Sequence, residues 1–440
     1  MKWQKLISDR RLGLEEFHDV SRQIRSDFQR DYDRMIFSSP FRRMQNKTQV
    51  FPLPGSIFVH NRLTHSLEVS TVGRSMAKEV LTRMAREGID SEEKALLEHI
   101  PDIVATACLC HDLGNPPFGH SGEKTISTWF SEGPGATLKS ELTNRQWMDL
   151  INFEGNANSF RLLTHQFVGR RKGGFAMTYS SLGTLVKYPW SSEHAGAKGK
   201  FGFFESEEES YRKVASWLEI PELSSGVFAR HPLVYLMEAA DDICYQIMDI
   251  EDAHRLGILT LEEATGYLLN FYKVERKEKL RRGMGYLEDP NEKIGYLRSN
   301  VIGKLVESCA DAFVANLKPI MEGENPGSLV NILPEGLSEA YQRCSEMAYS
   351  KIYCAPYVVD VDLAGNRILS YLLDVLMEDV LNPERNYSEL LLSKMPKQYD
   401  IHANTLYGRI QAVLDHVSGM TDVYALDLFR KLNGHSLPAV

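Results

Sequence analysis

The string Cys110-His111-Asp112-Leu113-Gly114-Asn115-Pro116-Pro117-Phe118-Gly119-His120 sets an imidazole and a carboxylate side by side, where an apolar run gives way to Gly and Pro. Neighbours on a helix point about 100° apart, so both can address one ligand only at a helix end. His65 follows Asn61-Arg62-Leu63-Thr64 at the start of another helical stretch, and Asp241 interrupts an apolar stripe running from Leu233 to Ile247. A carboxylate inside such a stripe needs a partner or a metal. Two imidazoles and two carboxylates make a mixed N/O donor set. It suits Mn, Fe, Co, Ni, Zn or Mg with water positions open, and does not choose among them. His120 and Glu123 lie three apart and meet on one face if a helix begins at Ser121. A carboxylate on an imidazole fixes its tautomer and raises its basicity, which suits proton transfer.

The elements that must position these groups read as helices. Apolar periodicity predicts helices over 63–84, 101–112 and 233–250, then over 262–282, 293–320, 336–352 and 362–381. No series of short alternating strands appears, so the expectation is an all-α protein with at most a minor hairpin. Residues 113–122 are too rich in Gly and Pro to continue a helix. Residues 169–204 read as a long functional loop, and 322–336 as a boundary. The chain has 440 residues, 43% hydrophobic and 25% charged, which is ordinary globular composition. Its net charge of -9 argues against general nucleic-acid coating, which needs a basic surface. No apolar run is long enough for a membrane span, and Met1-Lys2-Trp3-Gln4-Lys5 opens no signal peptide. Six cysteines without a CxxC pair read as free thiols in a reducing cytoplasm.

Five segments together resemble the HD-domain deoxyguanosine triphosphate triphosphohydrolase (dGTPase) family. They are Ser8 to Gly13; Arg42 to Leu53, with Lys47-Thr48-Gln49-Val50-Phe51-Pro52-Leu53; Arg62 to Ser66; His111 through Glu123; and Phe153 to Ala157. Met237 through Asp252 and Gly419-Met420-Thr421-Asp422 agree with it. A lone His-Asp pair is weak, whereas the string from His111 to Glu123 is highly specific. The resemblance implies an HD-domain helical fold with a C-terminal helical extension. Residues 1–322 would form the catalytic core, with an active-site loop near 169–204. Residues 323–440 would pack on that core and complete the base pocket. It also implies hydrolysis of dGTP or another dNTP to deoxynucleoside and inorganic triphosphate, with one divalent ion, Mn or Mg first and Zn, Ni, Co or Fe as alternatives.

Residue by residue, the resemblance makes His65, His111, Asp112 and Asp241 the metal ligands and His120 with Glu123 the catalytic pair. Asp241 is preferred to Asp242 because Asp241, Tyr245 and Asp249 follow one another at four-residue steps along one helix face. Tyr245 would exclude a 2′-hydroxyl, Gln49 and Val50 would flank the sugar, and Asp249 would accept from the 3′-hydroxyl. A polyanionic substrate on a net-negative protein needs local cations; Arg62, Lys187, Lys200 and Tyr188 resemble the triphosphate-holding residues, with Asn115 and Asn156 as further polar contacts. For the base, Asp362, Arg367 and Arg430 are expected. The chain has no GxxxxGK[ST] string, so the usual γ-phosphate machinery is not expected. The resemblance further implies a homo-oligomer, commonly a hexamer, in a family of which some members respond to a second dNTP or to single-stranded DNA; no membrane partner is expected. The rival readings are another HD phosphohydrolase such as a 5′-nucleotidase, and a catalytically silent nucleotide sensor or single-strand binder.

Overall fold

The structure, a computed structural model, describes residues 1–16, 24–51, 59–86 and 91–436. Pro52 and Leu53 of the second motif lie outside the described residues. At the centre is the helix Ile100–Cys110, in which Ile103, Val104, Ala105, Ala107, Cys108 and Leu109 are all buried. A helix apolar all round has to be surrounded. Arg62–Ala85, Val234–Arg255 and Asp27–Ile36 pack on it, and Pro290–Ala315 closes over the first two of these. The helix Arg62–Ala85 starts where Asn61 caps it: the Asn61 side chain accepts from the Thr64 amide while Thr64 Oγ1 accepts from the Asn61 amide.

The all-α expectation holds. The described residues contain only one small sheet, the antiparallel pair Glu222–Ser224 and Val227–Phe228. Several boundaries are corrected. The predicted helix over 262–282 is two, Leu261–Leu269 and Val274–Met284, because Phe271 turns inward between them to join the apolar core. That over 293–320 is Pro290–Ala315 followed by Leu317–Glu322. Pro319 has no N–H for the Ala315 carbonyl, so one continuous helix is excluded. The helix after the Gly/Pro turn begins at Gly119, two residues before Ser121. Residues 169–204 are not one loop. They contain the wholly buried helix Tyr179–Leu185, and Phe201, Phe203 and Phe204 are core. Small residues bring this segment in closely: a Cβ on Gly183 would lie 2.8 Å from Leu218 Cδ1.

Two apolar clusters hold the chain together. One is built on the central helices and extends into Glu335–Met347. The other joins Gly119–Ser131 and Asn144–Ile151 to Pro356–Leu381, Leu406–Ser418 and Asp422–Leu432. Helices from both sides of residue 322 therefore contribute to each cluster. Among the described residues no helix is long and apolar enough to cross a membrane. All six cysteines are unpaired.

Candidate metal centre and cleft

Three helix positions converge. His65 comes from the first turn of Arg62–Ala85, His111 follows the last residue of Ile100–Cys110, and Asp241 lies on Val234–Arg255. One ligand atom of each lies within 4.8 Å of the others. His65 Nε2 is 3.1 Å and His111 Nε2 3.4 Å from Asp241 Oδ1. Asp112 joins from the side, its Oδ1 3.6 Å from His111 Nε2. Its other oxygen accepts from Arg62 Nη1 at 2.6 Å, and Asn115 Nδ2 donates to Oδ1.

The donor set passes a test of fit to a divalent ion. His111 Nδ1 lies 2.6 Å from the Cys108 carbonyl oxygen, to which it can only donate. In the neutral ring the lone pair is thereby left on Nε2, which is buried and has no hydrogen-bond partner. A buried acceptor without a partner, aimed at two carboxylates, is what an imidazole ligand looks like with its outer nitrogen tied down. Burial disfavours charge on His111, but Asp112 and Asp241 outweigh it and raise the ring to about 9. Burial likewise opposes the Asp241 charge, and the His111 and His65 rings overcome it, holding that carboxyl well below its ordinary range. Clustered opposite charge of this kind favours exchange of protons for a cation.

Asp112 and Asp241 open onto a cleft of about 480 Å³, with His65 and His111 buried behind them. Gln49, Val50, Arg62, Asp112, His120, Asp241 and Tyr245 line it, and Asp362 sits at its edge. His120 follows a backbone twist in which Phe118 and Gly119 both have positive φ, 61° and 58°. A Cβ on Gly119 would lie 2.5 Å from Arg62 Nη2, so only glycine lets that guanidinium reach Asp112 past the turn. The His120 side chain is 75% exposed and stands 3.8 Å from Glu123 Oε2. Glu123 is buried, and its Oε1 accepts from the Gly155 amide at 2.7 Å.

Other predicted residues lie behind the cleft wall or away from it. Asn115 and Asp249 do not line the cleft: Asn115 backs Asp112, and Asp249 accepts from Tyr353 Oη at 2.7 Å, its carboxyl raised by burial to about 8. Lys187 lies 3.5 Å from Glu238 Oε1, close to the Tyr188 ring. Lys200 lies 2.6 Å from Glu154 Oε1 and 3.7 Å from Glu123 Oε2. Asn156 Nδ2 donates to Glu154, which caps Gly155–Thr164. Arg367 and Arg430 are exposed and do not line the cleft.

Of the opposite wall, sequence reading reached Tyr353, at the start of the C-terminal stretch expected to hold the base, and missed the rest. Tyr341, Ser345, Tyr349 and Tyr353 face the cleft together with Gln246 and Asp242. Their spacing, four residues each time, was a usable signal for one helix face. The helix Glu335–Met347 loosens there into a π-turn at Ala348–Ile352, a feature frequent at functional sites. The Asp242 carboxyl is raised to about 7 by burial, with Glu238 and Asp241 adding to it and Lys187 opposing.

A helical fold with paired His and Asp at a helix terminus defines the class, an HD-domain protein. Residues 62–155 match the HD domain family, and residues 332–431 match the phosphohydrolase-associated domain. The chain is 36% identical to a deoxyguanosinetriphosphate triphosphohydrolase-like protein of Pseudomonas aeruginosa, over the whole of both chains. It is 35% identical to a protein of the same description from Synechocystis, over 99% of this chain and 100% of that one. It is 32% identical to the deoxyguanosinetriphosphate triphosphohydrolase of Yersinia enterocolitica, over 98% of each. The chain belongs to the deoxyguanosinetriphosphate triphosphohydrolase-like family of HD phosphohydrolases.

Proposed function

We propose that this protein hydrolyses dGTP, and to some extent other dNTPs, to deoxynucleoside and inorganic triphosphate. The observation that carries the reading is the convergence of His65, His111, Asp112 and Asp241 beside a cleft that Asp112 and Asp241 line together with His120 and Tyr245. A divalent ion held by those four, Mn or Mg first, would supply Lewis acidity at a phosphoryl oxygen. His120, exposed to the cleft, moves the proton: it takes one from the attacking water or gives one to the departing 5′-oxygen. Glu123, fixed by the Gly155 amide, orients that imidazole. Arg62 holds Asp112 and presents positive charge to the phosphates, with Lys187 and Lys200 completing the leaving-group anchor. Tyr245, Gln49 and Val50 enclose the deoxyribose, with Asp249 behind Tyr353, and Asp362 meets the base.

On this reading the C-terminal region, 323–440, completes the base end of the cleft. By resemblance the protein works in the cytoplasm as a homo-oligomer, a hexamer, and a second dNTP and single-stranded DNA are the effectors to assay. The names of the curated relatives support the substrate. The test is incubation with each dNTP and rNTP separately, with Mn or Mg, and identification of products. Deoxyguanosine with intact triphosphate is expected. dGMP with pyrophosphate, or dGDP with phosphate, would overturn the reading, and turnover of monophosphates alone would favour a 5′-nucleotidase.

A further inference from the structure

The motif Gly419-Met420-Thr421-Asp422 lines no part of the cleft. Its work is visible in its bonds. Asp422 is the first residue of the helix Asp422–Leu432, capped by Thr421, and its side chain is buried. Oδ2 accepts from the Thr48 amide at 2.8 Å and from Thr48 Oγ1 at 2.5 Å. Oδ1 accepts from the Phe118 amide at 3.0 Å. One carboxylate thus holds two segments seventy residues apart in the chain. The first leads directly into Gln49 and Val50, the second directly into His120. A second tie runs parallel: Lys47 Nζ, buried, donates to the carbonyls of Asn115 at 2.6 Å and Ser418 at 2.7 Å.

The segment at Phe118 needs such a hold. A non-glycine residue in the left-handed region costs about 1–2 kcal/mol, and Phe118 sits there at φ 61°. Strain of this kind persists only where surroundings over-determine it. The Phe118 ring packs so close to Gly365 of the helix Pro356–Leu381 that a Cβ there would lie 2.7 Å from it. Its amide is bound by Asp422. Both restraints come from the C-terminal helices.

We propose that Asp422 is a positioning residue, a clasp that sets the sugar wall at Gln49–Val50 and the proton-transfer residue His120 in one mutual geometry. The clasp rests on the proposed hydrolysis only for its kinetic readout. Asp422→Ala removes the acceptor of both segments at once. Hydrogen–deuterium exchange should rise together at residues 47–50 and 118–120, while the core helix Ile100–Cys110 keeps its protection. For a loss of alignment near 1 Å, kcat for dGTP should fall about 10–100-fold, with Mn affinity within about threefold of the wild type. Thr48→Val removes one bond on the sugar side alone, and should raise KM more than it lowers kcat. If Asp422→Ala does not fold, Asp422→Asn serves. Its single amide oxygen can satisfy only one segment, so exchange rises at the other and kcat falls with the metal retained.

Exchange that changes at neither segment, at only one in Asp422→Ala, or throughout the core overturns the clasp. So does an unchanged kcat. If the wild type hydrolyses no nucleotide, the proposed function fails, and the exchange pattern still decides the clasp.

Discussion

Gly155 offers a perturbation whose effects on stability and on activity should separate. It opens the helix Gly155–Thr164 and donates its amide to Glu123. A Cβ there would lie 2.2 Å from Asn115 Oδ1 and 2.6 Å from Glu123 Oε1. A carbon and an oxygen in contact sit at about 3.3 Å or more, so Gly155→Ala forces each of the two side chains away by roughly 1 Å. Alanine in a helix gains about 0.5–1 kcal/mol over glycine, while overpacking costs typically about 1–3 kcal/mol. The net loss of stability should be about 1–2 kcal/mol, a few degrees in Tm, with the protein still folded at assay temperature. The displaced groups are Asn115, which holds Asp112, and Glu123, which on the proposed function orients His120. A 1 Å misplacement can cost about 10²-fold in rate, so kcat/KM for dGTP should fall by about that factor. Thermal melts, bound Mn and steady-state kinetics on the same preparation make the comparison. Lost Mn traces the damage to Asn115 and Asp112; retained Mn traces it to Glu123. A Gly155→Ala enzyme with kcat/KM within threefold of the wild type refutes the reasoning, whatever its Tm.

Asp241→Ala should lose bound Mn and nearly all activity; full occupancy at wild-type rate would remove Asp241 from the ligand set. His120→Ala and Glu123→Ala should each lower kcat by about 10²–10⁴-fold with metal retained, and if they act as one unit the double variant should be little worse than either single one. Tyr245→Ala should raise GTP turnover relative to dGTP, and an unchanged ratio counts against a steric wall. His60 supplies a pH test away from the cleft. Burial opposes its charge, but its bonds to Asp252 at 2.9 Å and Glu68 at 3.1 Å outweigh burial and raise the ring from 6.5 to about 10. With the folded value above the unfolded one, the stabilisation is full below about pH 6.5 and fades as pH rises towards 10. The stability gap between wild type and His60→Gln, from urea melts, should therefore be wide at pH 6 and narrow at pH 9.5; a constant gap would falsify the charged ring.

What could be read from the chain divides by how local the cause is. His111 and Asp112 stand out because a helix end, a Gly/Pro turn and an apolar approach are all written within a dozen residues. The central helix is equally plain from its unbroken apolar run. The segment 169–204 was misread because Gly, Ser and aromatic residues look like loop composition. Packing against Leu218 and Tyr211 turns Gly183 and Phe203 into core. Lys187 and Lys200 could be named as cations, but their partners Glu238 and Glu154 are remote in sequence and invisible until the chain folds. The Asp422 bonds to Thr48 and Phe118 have no local signature at all.

Those hidden pairings change the electrostatic argument for the site. Read from sequence, an acidic protein needs free cations to meet a triphosphate. Folded, Arg62 holds Asp112, Lys187 lies beside Glu238, and Lys200 is shared by Glu154 and Glu123. With Asp241 and Asp242 the neighbourhood has six carboxylates to three such cations, so it repels a polyanion unless the balance is altered. Two groups can alter it. The cluster at His65, His111, Asp112 and Asp241 can take a divalent cation, and Asp242, raised to about 7, can stay partly protonated near neutrality. On the proposed function, Lys200 and Lys187 would then become available by exchange, releasing a carboxylate for a phosphate oxygen at nearly constant local charge. Such an exchange keeps both cations ordered before substrate arrives, which reduces the reorganisation that binding requires. It also ties phosphate recognition to metal occupancy: without the ion, the unbalanced carboxylates should weaken triphosphate binding as well as the chemical step.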